Sequence, residues 1–181
     1  MARRVRELAA LLPGLVTRFS CEGHEWGRDA GMEQLLESSD HARVHERPVT
    51  GEARQGDARA RVAFEWRDWP PAPRILGYCN LDPAHAGTHI EGFRRGLAEG
   101  LGRRDPGRVF EALSGGLAAV VSVLVIDPEY QGPTRERIGS EEARAVVAEA
   151  TAKALRRALA SDPELARRIT ARLERVPEAK P

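Results

Sequence analysis

One stretch breaks the short alternation of apolar and polar residues seen elsewhere in this chain. Leu117 to Ile126 is ten residues without a charge, rich in valine. A half-exposed strand would alternate, so this run predicts a strand buried on both faces. Asp127-Pro128 ends it, because proline offers no amide to a ladder. A polar, basic loop follows from Glu129 to Gly139. Ser140 then opens a long helix reaching Ala160, with Glu141 and Glu142 in its positive first turn and Ala143, Val146, Val147, Ala150, Ala154 and Ala158 on one stripe. A strand that delivers a loop to the edge of a domain is a common setting for ligand contacts.

Before that stretch the pattern predicts a short helix over Arg3 to Leu12 and a strand over residues 15–21, turning at Glu22-Gly23-His24. A second short helix covers Gly31 to Ser38, with Asp29 placed to cap it. Residues 44–53 form an edge strand, since Pro48 is tolerated only there. Residues 58–66 alternate clearly, with Ala60, Val62, Phe64 and Trp66 inward and Arg59, Arg61 and Glu65 towards water. Trp69 to Pro73 is a stiff loop, and residues 74–80 are the next strand. Thr88 to Leu101 reads as a helix opened by a capping box, in which Thr88 accepts from the Glu91 amide and Glu91 reaches back to Thr88. Ile90, Phe93, Leu97 and Leu101 face inward. A short helix falls within residues 105–114. Asp162 caps a last helix with Pro163 at its first position; Leu165, Ile169 and Leu173 line one side, and Arg167, Arg168, Arg172 and Arg175 lie largely on the other. Pro177 to Pro181 reads as a frayed tail. The result is an α+β (mixed α/β) domain with a mixed sheet, helices on one face and C-terminal helices.

Composition narrows the classes. The 181 residues suffice for one domain with its own core. Hydrophobic residues make up 41% and charged ones 30%, ordinary for a globular chain, and the net charge of +1 gives no global argument for nucleic acid. Arginine greatly outnumbers lysine, and it is the better fork for phosphate or carboxylate. Two cysteines, Cys21 and Cys79, are too few for a disulfide framework and read as small buried hydrophobes. No apolar run approaches membrane-spanning length and no signal peptide is visible, so the expectation is a cytoplasmic protein with no membrane partner. Cys79, Asp82, His85 and His89 lack the paired spacing of a metal site, so no metal is expected. Nothing resembles a nucleophile elbow, a phosphate-binding glycine loop or a carboxylate pair with a positioned base.

Two motifs carry a resemblance. One is Gly87-Thr88-His89-Ile90-Glu91-Gly92-Phe93. The other runs from Gly116, Leu117 and Ala119 to Val123 through Asp127, Pro128, Gly132, Thr134 and Gly139 to Glu142 and Arg144. Together they resemble the transducer domain of the B subunits of type IIA topoisomerases, DNA gyrase and topoisomerase IV. Residues 1–12 resemble that family's seam between ATPase domain and transducer. The resemblance implies a left-handed βαβ crossover, against the usual right-handed default. It also implies that residues 1–160 are the transducer-like domain and 161–181 an arginine-rich helix and tail. The ATPase and metal-binding domains are expected to be missing, so the chain alone should have no catalytic activity and no cofactor, the family's ATP and Mg being used by other domains.

Site candidates follow from the same resemblance. In the family, a glutamine and a lysine of the loop after the central strand reach the terminal phosphate of ATP. Here the loop supplies Gln131, Pro133, Thr134, Arg135 and Arg137; Pro133 stands where that glutamine belongs and Arg135 where the lysine belongs. Proline has neither side-chain nor amide donor, so a degenerate nucleotide-sensing loop is expected, a solvated remnant with Glu136 beside it. Arg94 falls where the family lines its DNA-holding cavity, and with Arg95 it is a candidate for DNA phosphate, which a solvated helix face explains equally well; Arg167, Arg168 and Arg172 are candidates too, on a helix whose arginines read first as a solvated face. Thr88 and Glu91 read as a structural helix cap. The functional expectation is a module that couples ATP state to DNA strand passage, with gyrase or topoisomerase subunits and DNA as partners. The alternative is a stand-alone gyrase-B paralogue that regulates a topoisomerase or another partner by binding it.

Overall fold

The computed structural model describes residues 2–21, 24–28, 31–36, 42–68 and 72–175. They form α1 (Ala2–Leu11), β1 (Thr17–Cys21), β2 (His24–Arg28), a 3-10 turn (Met32–Leu36), β3 (Val49–Gln55), β4 (Ala58–Trp66), β5 (Arg74–Cys79), β6 (Asp82–Pro83), β7 (Ala86–Gly87), α2 (Thr88–Gly100), α3 (Pro106–Leu113), β8 (Leu117–Leu124), β9 (Arg137–Ile138), α4 (Glu141–Ser161) and α5 (Pro163–Glu174). The main sheet has five strands in the order β3-β4-β8-β5-β6. β4 runs antiparallel to β3 and to β8, while β5 lies parallel to β8. Parallel neighbours require a crossover, and here it passes through β6, β7, α2 and α3. This is the mixed α/β architecture with a mixed sheet that the pattern predicts.

β8 is the centre of the sheet, and its uncharged composition follows from that position. Leu117, Ala119, Val121 and Val123 face the main core, shared with Phe93 and Leu97 of α2 and with Val146, Val147, Ala150 and Leu155 of α4. Ala118 and Val120 point the other way, against Leu11, Met32 and Leu36. The long helices therefore lie on one face, and α1 and the 3-10 turn cover part of the opposite one. The strand stops at Leu124, two residues earlier than the pattern predicts; Ile126 is 66% exposed. Asn80 continues the pairing in its place. Its side-chain amide donates to the Val125 carbonyl (2.9 Å) and accepts from the Val125 N–H (3.0 Å), as a backbone group would. Asn80 and Leu81 both have positive φ, 48° and 74°, forming the tight turn between β5 and β6.

Several sequence expectations are corrected. Among the described residues β1 pairs with β2 alone, a strand the pattern missed, and stands outside the main sheet. The edge strand begins at Val49, not at residue 44. A 3-10 turn replaces the start of the helix expected from Gly31. Glu65 does not face water; it is fully buried, because β4 is covered on both sides there. Its carboxylate accepts from Arg43 Nε (2.5 Å) and Arg67 Nε (2.6 Å). Arg61 is half-buried and donates to the Leu11 carbonyl at 3.1 Å, fixing the end of α1 to the sheet. Asp29, the Trp69–Pro71 part of the stiff loop and the Pro177–Pro181 tail lie outside the described residues, as does the side chain of Cys21. Cys79 is buried, as expected.

α2 and α4 meet through small residues. Gly92, Gly96 and Gly100 recur every four positions and share one side of α2. A β-carbon on Gly96 would sit 2.5 Å from the Thr151 Cβ and 2.6 Å from the Ala148 carbonyl oxygen, and one on Gly92 would run into the Arg144 backbone. In an exposed helix, glycine-to-alanine raises stability by roughly 0.5–1 kcal/mol. Here the sign reverses. Gly96→Ala is expected to lower unfolding stability by about 1–3 kcal/mol, measured by urea denaturation; an increase would show that the two helices are not in close contact.

Candidate functional site

β8 delivers the loop 127–139 next to the N-termini of α2 and α4. The loop is closed at its base by backbone bonds. Gly139 N–H donates to the Glu129 carbonyl (2.7 Å), and Gln131 N–H to the Arg137 carbonyl (2.8 Å). Ser140 stands at the N-cap position of α4, but its hydroxyl accepts from the Glu129 N–H (2.9 Å) and not from its own helix. Asp162, by contrast, caps α5 through the Leu165 N–H (2.9 Å), as expected. β9 pairs in parallel with β7, so Arg137 lies opposite Ala86 and Ile138 opposite Gly87.

The residues singled out in this loop do not act alike. Arg137 Nε donates to Gln131 Oε1 at 2.7 Å, so both belong to the loop's own framework. Arg137 also lies 3.6 Å from the Glu91 carboxylate, which pairs with Arg144 at 2.6 Å, and Arg144 in turn pairs with Glu141 at 2.5 Å. A chain of charges thus joins loop, α2 and α4. Pro133 and Thr134 stand exposed at the tip, beyond Gly132 with φ of 90°. Arg135 takes the left-handed conformation (φ 56°), and its guanidinium lies 5.7 Å from the Tyr130 ring centre. Arg144 was visible in the sequence only as part of a motif; what could have suggested its role is the opposite charge of Glu141 three residues earlier.

The capping box read from the sequence does not form. Gly87 is the N-cap of α2, with φ of 114°, and no side chain caps that end. Glu91 is drawn away to Arg144 and Arg137. Thr88 Oγ1 and His89 Nδ1 are buried without a hydrogen-bond partner among the described residues. His89 Nε2–H donates to the Ala84 carbonyl at 2.9 Å, behind Gly77, where a side chain would collide with both. Burial pushes the His89 pKa down from 6.5 to about 4. Among the described residues no three His, Cys, Asp or Glu side chains gather as a metal site.

The arginine candidates separate into different settings. Arg94 lies over the Phe110 ring, 4.4 Å from its centre. Arg95 pairs with Glu99 (2.6 Å). Arg167 and Arg168 share one carboxylate, Glu164, both at 2.7 Å. That pairing holds the Glu164 carboxyl down at about 2. Arg172 is not on the open side of α5: it is partly buried and donates to the Gly115 carbonyl at 2.5 Å. The five residues therefore do not make one continuous surface of free charge.

The model of the DNA gyrase B family matches residues 31–180. The chain belongs to the DNA gyrase B family. The gyrase B protein of Halalkalibacterium halodurans is 26% identical over 186 residues, covering 93% of this chain and 29% of the relative; that of Myxococcus xanthus is 25% identical over 190 residues, covering 96% and 23%. The chain thus spans less than a third of these relatives. Among solved structures, it is similar to one described as the 43K ATPase domain of Thermus thermophilus gyrase B in complex with an aminocoumarin (24% identity, TM-score 0.80, 96% of this chain, 51% of that one). The solved gyrase B structure from Myxococcus xanthus gives TM-score 0.82 at 22% identity, covering 94% of this chain and 52% of that one. The ATP-binding domain of Francisella tularensis topoisomerase IV gives 0.72 at 21%, covering 97% and 51%. At these identities the structures support the fold.

The buried His89 yields a pH test. Its folded-state pKa lies below the unfolded value, so the unfolded chain binds the extra proton between pH 6.5 and about 4. Stability is expected to fall as pH drops through that window, by up to about 3 kcal/mol for this residue. Burial lowers His45 as well, so the comparison is with His89→Gln, whose amide can still reach Ala84. Urea midpoints from pH 7 to 4 should slope less in the variant. An equal slope would mean that His89 takes up its proton in the folded chain.

Proposed function

We propose that this chain is a transducer-type module of the gyrase B component of a type IIA topoisomerase, cytoplasmic, working with gyrase or topoisomerase subunits and DNA. It couples nucleotide state to strand passage and has no catalytic activity of its own. In this reading residues 1–160 are the transducer-like domain, and residues 161–181 are its arginine-rich C-terminal helix and tail. The observation that carries this reading is the connection of the 127–139 loop, through Gln131, Arg137, Glu91 and Arg144, to the first turns of α2 and α4. A push on the loop is thereby a push on the two helices that pack on the central sheet, the arrangement a rigid-body coupler needs. The two sequence motifs of the transducer family fall on these same segments.

Pro133 and Arg135 favour a second reading, in which direct sensing of nucleotide is lost and the chain regulates a topoisomerase by binding. The two readings separate in one experiment. This chain is exchanged for the matching segment of Halalkalibacterium halodurans gyrase B, assembled with the gyrase A protein of that organism and tested for ATP-dependent supercoiling. The coupling reading expects weak activity that rises at least tenfold with Pro133→Gln and Arg135→Lys together. The regulatory reading expects no gain from that pair, and inhibition when the separate chain is titrated into unmodified gyrase. ATP hydrolysis by the purified chain alone would contradict both.

A further inference from the structure

Three arginines that the sequence did not single out lie together without a carboxylate partner. Arg103, Arg104 and Arg108 line a cleft of about 260 Å³ at the turn from α2 into α3, with Val109, Ala112 and Leu173 as its apolar side. None of the three has an acid partner among the described residues, whereas Arg95, Arg167 and Arg168 each do. The cleft's single acid, Asp105, is turned to its own helix: its carboxylate caps α3 through the Arg108 N–H at 3.1 Å. The facing end of α5 contributes Leu173 to the cleft. Next to Leu173, Arg172 donates to the Gly115 carbonyl just after α3.

We infer that the Arg103–Arg104–Arg108 cleft is a binding site for phosphate groups, whether of a nucleic-acid backbone or of a free oligophosphate. Three arginines line one concavity with no carboxylate paired to them, and each guanidinium is a fork matched to phosphate oxygens. An apolar floor lowers the local dielectric and strengthens the contact. The cleft lies at the far end of α2 from the 127–139 loop, so it is a different place from the coupling loop and does not rest on the functional reading above.

The test uses the full 181-residue chain. Binding of a fluorescent 20-base-pair duplex is followed by anisotropy, and binding of tripolyphosphate by calorimetry. Three phosphate contacts imply about a 40-fold loss of duplex affinity between 50 and 200 mM salt. Arg103→Gln with Arg104→Gln should weaken binding at least tenfold, and adding Arg108→Gln should abolish it. Arg167→Gln with Arg168→Gln should change it less than twofold. Binding of duplex alone identifies a nucleic-acid backbone as the ligand; binding of both identifies phosphate in general. Circular dichroism melting confirms that each variant folds. Absence of binding to either probe overturns the inference, and so does binding in which the two pairs of substitutions weaken affinity equally.

Discussion

The close approach of α2 and α4 is the constraint on which the rest of the structure depends. Gly92, Gly96 and Gly100 let the backbone of α2 come against Arg144, Ala148, Thr151, Ala152 and Leu155 of α4 with no α2 side chain between them. Because the two helices sit that close, Phe93 and Leu97 on one and Val146, Val147 and Ala150 on the other reach the same face of β8. Phe64 then packs edge-on against both Phe93 and Trp66, with ring centres 5.4 and 5.7 Å apart, and Trp66 closes the far end by donating to the Leu113 carbonyl at 2.8 Å. Interiors packed this tightly pass on strain without absorbing it. The N-termini of both helices are therefore held in one relation to the strand that carries the loop.

How much of this was legible in the sequence depends on which physical term decided each position. β8 was clear, because a strand buried on both faces must be apolar throughout. α5 was clear from Asp162-Pro163. The glycine seam was not read, because a periodicity search weighs what a residue buries, and glycine buries no side chain. Glu65 was misplaced for the complementary reason. It falls on the alternate positions that a half-covered strand turns to water, and among the described residues α1, the 3-10 turn and the segment carrying Arg43 cover that face. The carboxylate survives there because Arg43 and Arg67 are both brought to it; a buried ion left without its partner costs about 3–5 kcal/mol.

The candidate site shows the same division. The motif residues Gly87, Glu91 and Arg144 mark a real junction, but its bonds differ from the local ones that sequence spacing suggests. Thr88, Glu91 and Ser140 have the spacing of helix caps, and tertiary partners take two of them elsewhere: Glu91 goes to Arg144 and Ser140 to the loop. The left-handed φ of Gly87 matters more than either hydroxyl, since a side chain there would strike Ile138 of β9. Among the arginines, the pairs that occupy Arg95, Arg167 and Arg168 are local, to Glu99 four residues on and to Glu164 three and four residues back, a spacing already present in the sequence. Arg103, Arg104 and Arg108 have no such partner among the described residues, which moves attention from α5 to the α2–α3 turn.

The central claim is that β8, α2 and α4 move as one body while the loop between them can be displaced. Native-state hydrogen exchange followed by mass spectrometry tests it most directly. If the account is right, amides of Leu117–Leu124, of the middle of α2 and of the middle of α4 share one opening free energy, equal to that of global unfolding, while those of residues 129–139 exchange through a smaller opening of their own. If α2 or α4 opens at a lower free energy than β8, the helices are not fixed to the strand and the rigid-coupler account fails.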